Sequence, residues 1–225
     1  MPELAEIARR LERLEAVHDI ENLMGRYAFY HSAYRDDLIP PLFAHREDLV
    51  VEMPFGTFTG PDAALRAWGT APANVPARDL TGEYAEHLLT TPVVEVAQDG
   101  RTARAAWISP GAEAHHLGWV EGNPLRGLWY WGRYSADFVR ENGAWKLWHF
   151  RLSATFITDY EASFTDVAAQ LSPPPLPPAD ESGPDAPPRG QVQYSPGWDP
   201  RKLTLAPEPY DTFPGLTADD EPGSE

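Results

Sequence analysis

Two tight-turn dipeptides organise the middle of this chain into long β-hairpins. Asp99-Gly100 lies between "TTPVVEVAQ" and "RTARAAWISP", and Asn142-Gly143 lies between "WGRYSADFVRE" and "AWKLWHFRL". Dipeptides of this kind supply the positive φ angles that tight turns between antiparallel strands need. The segments on both sides of each dipeptide are therefore predicted to be long antiparallel strands.

Helical patterns precede these strands. Apolar residues recur at three- and four-residue steps from Leu4 to Tyr27, which is the period of one face of a long helix. "LFAHREDLVVEM" predicts a helical turn followed by a strand, and "GPDAALRAWG" places Pro61 at the start and Gly69 at the end of a second helix. Helices first and antiparallel strands afterwards are typical of an α+β fold with helices packed on one face of a curved sheet.

The prolines divide the chain into a domain and an extension. Of the 24 prolines, 14 follow Leu171, and proline-rich segments do not build a packed core. Residues 1–170 are predicted to be the domain and residues 171–225 a proline-rich, acidic C-terminal extension. The extension also contains Tyr194, Trp198, Tyr210 and Phe213, whose burial would be favourable. We therefore expect it to dock on the domain or a neighbouring subunit, near the rim of a pocket.

The charge balance and composition exclude several classes of protein. The chain has 34 acidic and 18 basic residues and a net charge of -16, which argues against a nucleic-acid partner. It has no cysteine, so disulfides and thiolate chemistry are excluded. The N-terminal segment "MPELAEIARRLERLEAVHD" is charged and amphipathic, unlike a signal peptide or a membrane span. We expect a soluble, cytoplasmic protein with no membrane partner.

One face of the first predicted helix ends in ring side chains. Tyr27, Tyr30, His31 and Tyr34 follow one another at i, i+3, i+4 and i+7, so they share a face. "GEYAEHLLTTPVVEV" places His87 just ahead of an apolar strand. A histidine in that position is either a hydrogen-bonded structural residue or a base held over a pocket.

Alternation along the strands predicts which side chains face the concave side of the sheet. If Lys146 faces water, the inward residues of that strand are Trp145, Leu147, His149 and Arg151. The same rule places Trp107, Ser109, Tyr130 and Tyr134 inside, and Arg104, Arg133, Ser135 and Asp137 outside. Trp129 and Trp131 are aromatic candidates for the outer surface and favour a homo-oligomer, a dimer or a trimer.

The chain resembles the SnoaL-like branch of the NTF2-like superfamily over about residues 15–155. The resemblance rests on the order and spacing of "IENLMGRYAFYHSAYRDD", "HLLTTPVVEVAQDGRTARAAW" and "GRYSADFVRENGAWKLWHFRL". It implies a cone-shaped α+β barrel with a pocket between the first helix and the concave sheet. It also implies that Tyr27 and His87 belong to an active site. The aspartate that many relatives carry on the first helix would fall near Ser32, and Glu113 falls near the residue that orients the histidine.

Structural rather than catalytic roles are expected for several other polar residues. "PGAEAHHLGWVEGNPLRG" is expected to be an irregular insertion, and His115-His116 within it is expected to lie in a solvated loop rather than in a metal site. Glu52 is either a pocket acid or, as we expect, a surface residue on an edge strand. We predict no metal and no cofactor.

Histidine, tyrosines and an apolar cavity together favour general acid-base chemistry. The sequence predicts a cofactor-independent lyase that acts on a hydroxylated aromatic or polycyclic small molecule. The resemblance to the SnoaL-like branch admits two versions of this reaction, loss of water or loss of formaldehyde, the second from a lignin-derived diarylpropane. The candidate catalytic residues are His87, Tyr27, Tyr30, His31 and His149. The candidate substrate-binding residues are Tyr34, Trp107, Glu113, Tyr130, Tyr134 and Arg151. An isomerase or cyclase, or a non-catalytic ligand-binding or oligomerisation module, is the alternative.

Overall fold

The computed structural model of the protein describes residues 2–69, 79–117, 120–171, 183–191, 193–214 and 216. Its two helices are α1 (Pro2–Ser32) and α2 (Ala63–Gly69). Its strands are β1 (Val50–Met53), β2 (Gly56–Thr59), β3 (Tyr84–His87), β4 (Thr90–Val96), β5 (Thr102–His116), β6 (Leu125–Glu141) and β7 (Ala144–Asp159). Short 3-10 turns span Asp36–Leu38, Pro40–Leu42, Val167–Ala169 and Pro200–Lys202. The α+β class predicted from the sequence is confirmed.

The strands form one seven-stranded sheet in the order β2-β1-β7-β6-β5-β3, and β4 also pairs with β5. Strand β1 runs parallel to β7, whereas the other pairs are antiparallel. The sheet is therefore mixed rather than wholly antiparallel. Strands β1 and β7 are far apart in the chain, so no tight turn constrains their relative direction.

Both predicted hairpins are confirmed. Gly100 has a φ of 72° in the turn between β4 and β5, and Asn142 and Gly143 have φ angles of 52° and 78° between β6 and β7. Consecutive positive φ angles match the twist of the flanking strands. These local turns set up the long strands that carry most of the interior side chains.

Helix α1 packs on the sheet only through its second half. Ile20, Met24 and Tyr27 are at most 1% exposed, whereas the four apolar residues of the first half are between 54% and 69% exposed. Those four are Leu4, Ile7, Leu11 and Leu14. The apolar stripe runs along α1 as predicted. In the part of the chain that the structure describes, other residues cover only its C-terminal half.

A β-bulge in β7 changes which residues face the interior. Asp137 pairs with His149 and Phe138 pairs with Leu147, so Trp148 is an extra residue in β7. Beyond this bulge the inward residues are Phe150 and Leu152, which are 1% and 5% exposed. An extra residue shifts the alternation by one position. The predicted concave positions of His149 and Arg151 are therefore wrong.

The C-terminal extension contacts edge strand β2 through Asp185 and Ala186. Farther along, Tyr194, Tyr210 and Phe213 contact the outer face of the sheet, the face to which His149 and Arg151 point. The Tyr194 amide donates to the Thr155 carbonyl at 2.7 Å, and the Tyr210 hydroxyl lies 2.9 Å from the Thr102 hydroxyl. The Phe213 ring packs against Trp148 and His149. Tyr210 and Phe213 thus lie on the outer face rather than at a pocket rim. Neither described helix is long and apolar enough to cross a membrane.

Candidate active site

His87 and Glu113 form a buried pair on neighbouring strands. In the register of β3 and β5, Ala85 pairs with Glu113 and His87 pairs with Gly111. His87 Nε2 lies 2.6 Å from Glu113 Oε1, and the two residues are 7% and 9% exposed. A Cβ atom at position 111 would lie 2.8 Å from His87 Cδ2, so glycine permits this close packing. The segment "PGAEAHHLGWVEGNPLRG" was expected to be irregular. That prediction is wrong for the first part of the segment, because β5 continues to His116.

The environment of this pair favours a neutral histidine beside a carboxylate. Burial lowers the pKa of His87, although the hydrogen bond to Glu113 opposes this effect. Burial pushes the pKa of Glu113 upward, but the hydrogen bond from His87 and the neighbouring histidines lower it below its ordinary value. Glu113 is therefore ionised and accepts the Nε2–H of His87. The Nδ1 atom then carries the lone pair, and it has no hydrogen-bond partner in the described part of the chain. This is the state that a general base requires.

Ring side chains surround His87 on the interior side. Tyr130 stacks on its imidazole with 4.1 Å between ring centroids, and the His31 ring is 5.1 Å away. Tyr27 stacks on His31 at 6.1 Å and meets Tyr134 at 5.8 Å. The structure therefore brings together four of the predicted site residues around His87.

Several polar atoms of this cluster are buried without a hydrogen-bond partner among the described residues. They are the hydroxyls of Tyr130 and Ser109 and the Nδ1 atoms of His31 and His87, whereas the buried hydroxyls of Tyr27 and Tyr134 interact with each other. Gly132 leaves room for the Tyr130 hydroxyl, which would otherwise meet a Cβ atom. Buried polar groups are nearly always satisfied by protein, water or ligand. An ordered water or a polar ligand in this interior region would find several hydrogen-bond partners there.

The phenols of the cluster are hydrogen-bond donors rather than bases. Burial raises the pKa of Tyr27 and of Tyr130 well above 10.0, and burial also raises the pKa of Tyr134. All three side chains are thus neutral at physiological pH. A neutral buried phenol can stabilise an oxygen that gains negative charge.

A second histidine–carboxylate pair continues from Glu113 toward the end of α1. Glu113 Oε2 lies 3.4 Å from His115 Nε2, and His115 Nδ1 lies 3.1 Å from Glu83 Oε2. The Tyr34 hydroxyl donates to Glu83 at 3.3 Å. His115 therefore lies at the end of β5 within a polar chain, and its predicted position in a solvated loop is wrong.

Tyr34 reaches this chain from a left-handed backbone conformation. It is the second residue after the end of α1 and has a φ of 53°, and the Arg35 amide donates to the Tyr30 carbonyl at 2.8 Å. This is the C-terminal turn that glycine usually occupies. A tyrosine there is strained, and the conformation directs its ring beyond the helix face that it was predicted to share.

Sequence reasoning missed two buried acids near the cluster. Asp36 is 4% exposed, and its Oδ1 lies 4.0 Å from His31 Nδ1. The acidic pair Asp36-Asp37, shortly after the tyrosine-rich helix, is the sequence feature that could have indicated this acid. The side chain of Glu83 is fully buried. Glu83 precedes Ala85 by two residues, as Ala85 precedes His87, so strand alternation would have placed it on the same buried side. Ser32, at the end of α1, offers no carboxylate, and the carboxylate that contacts His87 is that of Glu113, from the sheet.

The remaining predicted residues divide into interior and exterior positions. Trp107 is 4% exposed and packs against Phe138 in the interior, while Tyr30 is partly buried against the same core. On the outer face, His149 Nδ1 lies 2.8 Å from Asp137 and Arg151 forms an ion pair with Glu52. Glu52 is 7% exposed on a strand between β2 and β7, so its predicted surface position on an edge strand is wrong.

Solved structures share this fold. A candidate scytalone dehydratase from Novosphingobium aromaticivorans is 18% identical, with a TM-score of 0.51 over 75% of this chain and 98% of that one. A type 2 hexachlorocyclohexane dehydrochlorinase, LinA, is 17% identical, with a TM-score of 0.54 over 74% and 99%. The type 3 LinA of Novosphingobium barchaimii is also 17% identical, with a TM-score of 0.51 over 68% and 96%. At these identities the likeness shows the fold alone.

No curated protein matches the sequence significantly. The model of the SnoaL-like domain matches residues 12–151, which is more than half of the chain and contains the buried cluster. The expected cone-shaped α+β fold of the NTF2-like type agrees with the helices and mixed sheet described above. The chain belongs to the SnoaL-like domain family.

Proposed function

We propose that the protein is a cofactor-independent lyase that eliminates water or formaldehyde from a hydroxylated aromatic or polycyclic small molecule. The observation that carries this proposal is the buried His87–Glu113 pair, which leaves the Nδ1 atom of His87 unprotonated beside three neutral phenols. A base and hydrogen-bond donors in one apolar region are the groups that an elimination needs.

For loss of water, His87 Nδ1 takes the proton from the carbon next to the C–O bond. The C–H electrons form the new C=C bond as the C–O bond breaks. The phenols of Tyr27, Tyr130 or Tyr134 donate hydrogen bonds to the departing oxygen, which takes the proton back from His87 and leaves as water. Histidine thus returns to its neutral state, and no redox partner is needed.

For loss of formaldehyde, the same base takes the proton of a primary hydroxyl group. The C–C bond then breaks, its electrons form the C=C bond, and hydroxide leaves from the next carbon with the proton from His87. A diarylpropanediol would give a stilbene, formaldehyde and water. The aromatic rings around the cluster favour a flat aromatic substrate. The fold likeness to proteins named as dehydratase and dehydrochlorinase is compatible with either elimination.

The experiment is an assay of the full chain with diarylpropane-1,3-diols and with aromatic alcohols that carry a neighbouring acidic C–H bond. Alkene formation is followed by absorbance and formaldehyde by a colorimetric assay. Alkene with equimolar formaldehyde supports carbon–carbon cleavage, and alkene without it supports dehydration. A product of unchanged mass would favour an isomerase, and saturable binding without turnover would favour a binding module.

The acid limb of the pH profile reports the state of His87. Its pKa is lowered from 6.5 by burial, so its neutral, basic form dominates at neutral pH. We expect kcat/KM to be level at neutral pH and to fall in acid as His87 becomes protonated, with a midpoint below 6.5. Initial rates measured between pH 4 and 8, with circular dichroism to show that the fold persists, check this. A midpoint above 6.5 would contradict the assignment.

Self-association into a dimer or trimer stays a prediction. Trp129 and Trp131 are each 42% exposed on the sheet, and the apolar stripe along the first half of α1 is exposed as well. Exposed apolar patches of this kind mark protein interfaces. Sedimentation equilibrium at micromolar concentration is expected to show an oligomer, and a monomer at every concentration would contradict this.

A further inference from the structure

A cavity of about 250 Å³ lies on the outer face of the sheet, away from the buried cluster. Strands β5, β6 and β7 form its floor, and Gly190 together with residues 203–206 of the C-terminal extension borders it. Side chains alternate along β6, so Arg133 and Ser135 point out where Tyr134 points in. The cavity is thus separated from His87 by the sheet itself.

Two guanidinium groups share this floor. In the sheet register, Arg133 pairs with Ser153 and Ser135 pairs with Arg151, which places both arginines on the same small patch. Arg151 is held by its ion pair with Glu52. A Cβ atom at Gly190 would lie 3.3 Å from the Arg151 guanidinium carbon, so the extension passes close over it. The charge of Arg151 is therefore neutralised, although its side chain is 42% exposed.

Arg133 is different, because it has no hydrogen bond or ion pair with any residue that the structure describes. The acid nearest to it on the outward face of β6, Asp137, already contacts Arg104 at 3.6 Å and His149 at 2.8 Å. A half-buried guanidinium usually has an anionic partner. In a chain with a net charge of -16, one uncompensated cation beside a cavity is unexpected.

The walls of the cavity limit what can fill it. Val93, Ala106 and Ile108 from the sheet and Leu203 and Leu205 from the extension supply apolar surface. Hydroxyl-bearing residues, among them Ser135 and Thr155, lie beside the arginines. The volume is below the range of about 300–1,000 Å³ that is typical for drug-sized ligands. A small molecule with one negative charge and an apolar body matches this surface.

We infer that this cavity is a second binding site, which takes a small aromatic or aliphatic monocarboxylate through Arg133. The carboxylate accepts hydrogen bonds from the Arg133 guanidinium, and the hydrocarbon part lies between the sheet and residues 203–206. This site is independent of the proposed lyase reaction, because it needs neither His87 nor the interior phenols.

The test is isothermal titration calorimetry of the full chain with benzoate and with hexanoate, and with benzamide as the neutral comparison. Benzoate or hexanoate is expected to bind in the millimolar range or tighter, and benzamide more weakly. Arg133→Met should weaken carboxylate binding about ten- to a hundredfold, as the loss of a charged hydrogen-bond partner does. Arg133→Lys keeps the positive charge, and its carboxylate affinity should lie between those of the original chain and Arg133→Met.

Two matched variants locate the site. Arg26→Met removes the same charge from the exposed side of α1 and should leave the affinity unchanged. His87→Gln alters the interior cluster and should also leave it unchanged. Amide chemical shifts of residues 132–135 and 203–206 should move on addition of benzoate.

The inference is overturned if neither carboxylate binds up to about 10 mM, which corresponds to less than about 3 kcal/mol of binding free energy. It is also overturned if Arg133→Met binds as tightly as the original chain, or if His87→Gln abolishes binding. Shifts confined to β3 and α1 would likewise contradict it. None of these results bears on the lyase reaction, which is assayed by its own products.

Discussion

His87→Gln is expected to lower kcat about 10²- to 10⁴-fold on the true substrate, which is the usual loss when a general base is removed. Glutamine can still donate a hydrogen bond to Glu113, so the buried carboxylate keeps a partner. It has no basic nitrogen to accept the substrate proton. The measurement is turnover at saturating substrate, with thermal melting to show that the fold persists.

His45→Gln is the matched control for this variant. His45 is exposed and lies outside the cluster, so its replacement should leave turnover unchanged. If His87→Gln turns over substrate at the original rate with an unchanged melting temperature, His87 is a structural histidine and the proposed reaction is wrong.

Glu113→Gln is expected to produce a loss of similar size, about 10²- to 10⁴-fold, for a different reason. The Glu113 carboxylate accepts the Nε2–H of His87 and so keeps Nδ1 unprotonated. A glutamine amide can donate to Nε2 instead, which moves the imidazole proton to Nδ1. A histidine in that tautomer has no lone pair on Nδ1 and cannot accept the substrate proton there.

The imidazole nitrogen shifts of His87 separate this positioning role from a loss of packing. In the original chain the nitrogen spectrum should show protonated Nε2, and in Glu113→Gln it should show protonated Nδ1. Glu121→Gln, at an exposed position, is the control and should change neither the tautomer nor the rate. Unchanged tautomer and turnover in Glu113→Gln would show that another group orients His87.

Local chemistry determined the parts of this protein that could be derived from the sequence. The two hairpins follow from Asp99-Gly100 and Asn142-Gly143, because the conformation of a tight turn depends on the residues within it. The inward positions of Trp107, Tyr130 and Tyr134 follow from strand alternation, which holds wherever no bulge intervenes. The resemblance to the SnoaL-like family singled out Tyr27 and His87 as candidate site residues.

The tertiary structure decided the rest, because those features depend on pairing between distant strands. The extra residue at Trp148 exists only in the register between β6 and β7, and it moves His149 and Arg151 to the outer face. The contact between His87 and Glu113 depends on the register of β3 and β5, across 26 residues of chain. Neither register is encoded in a local pattern. For the same reason the uncompensated charge of Arg133 becomes visible only when the acids around it are seen to pair with other residues.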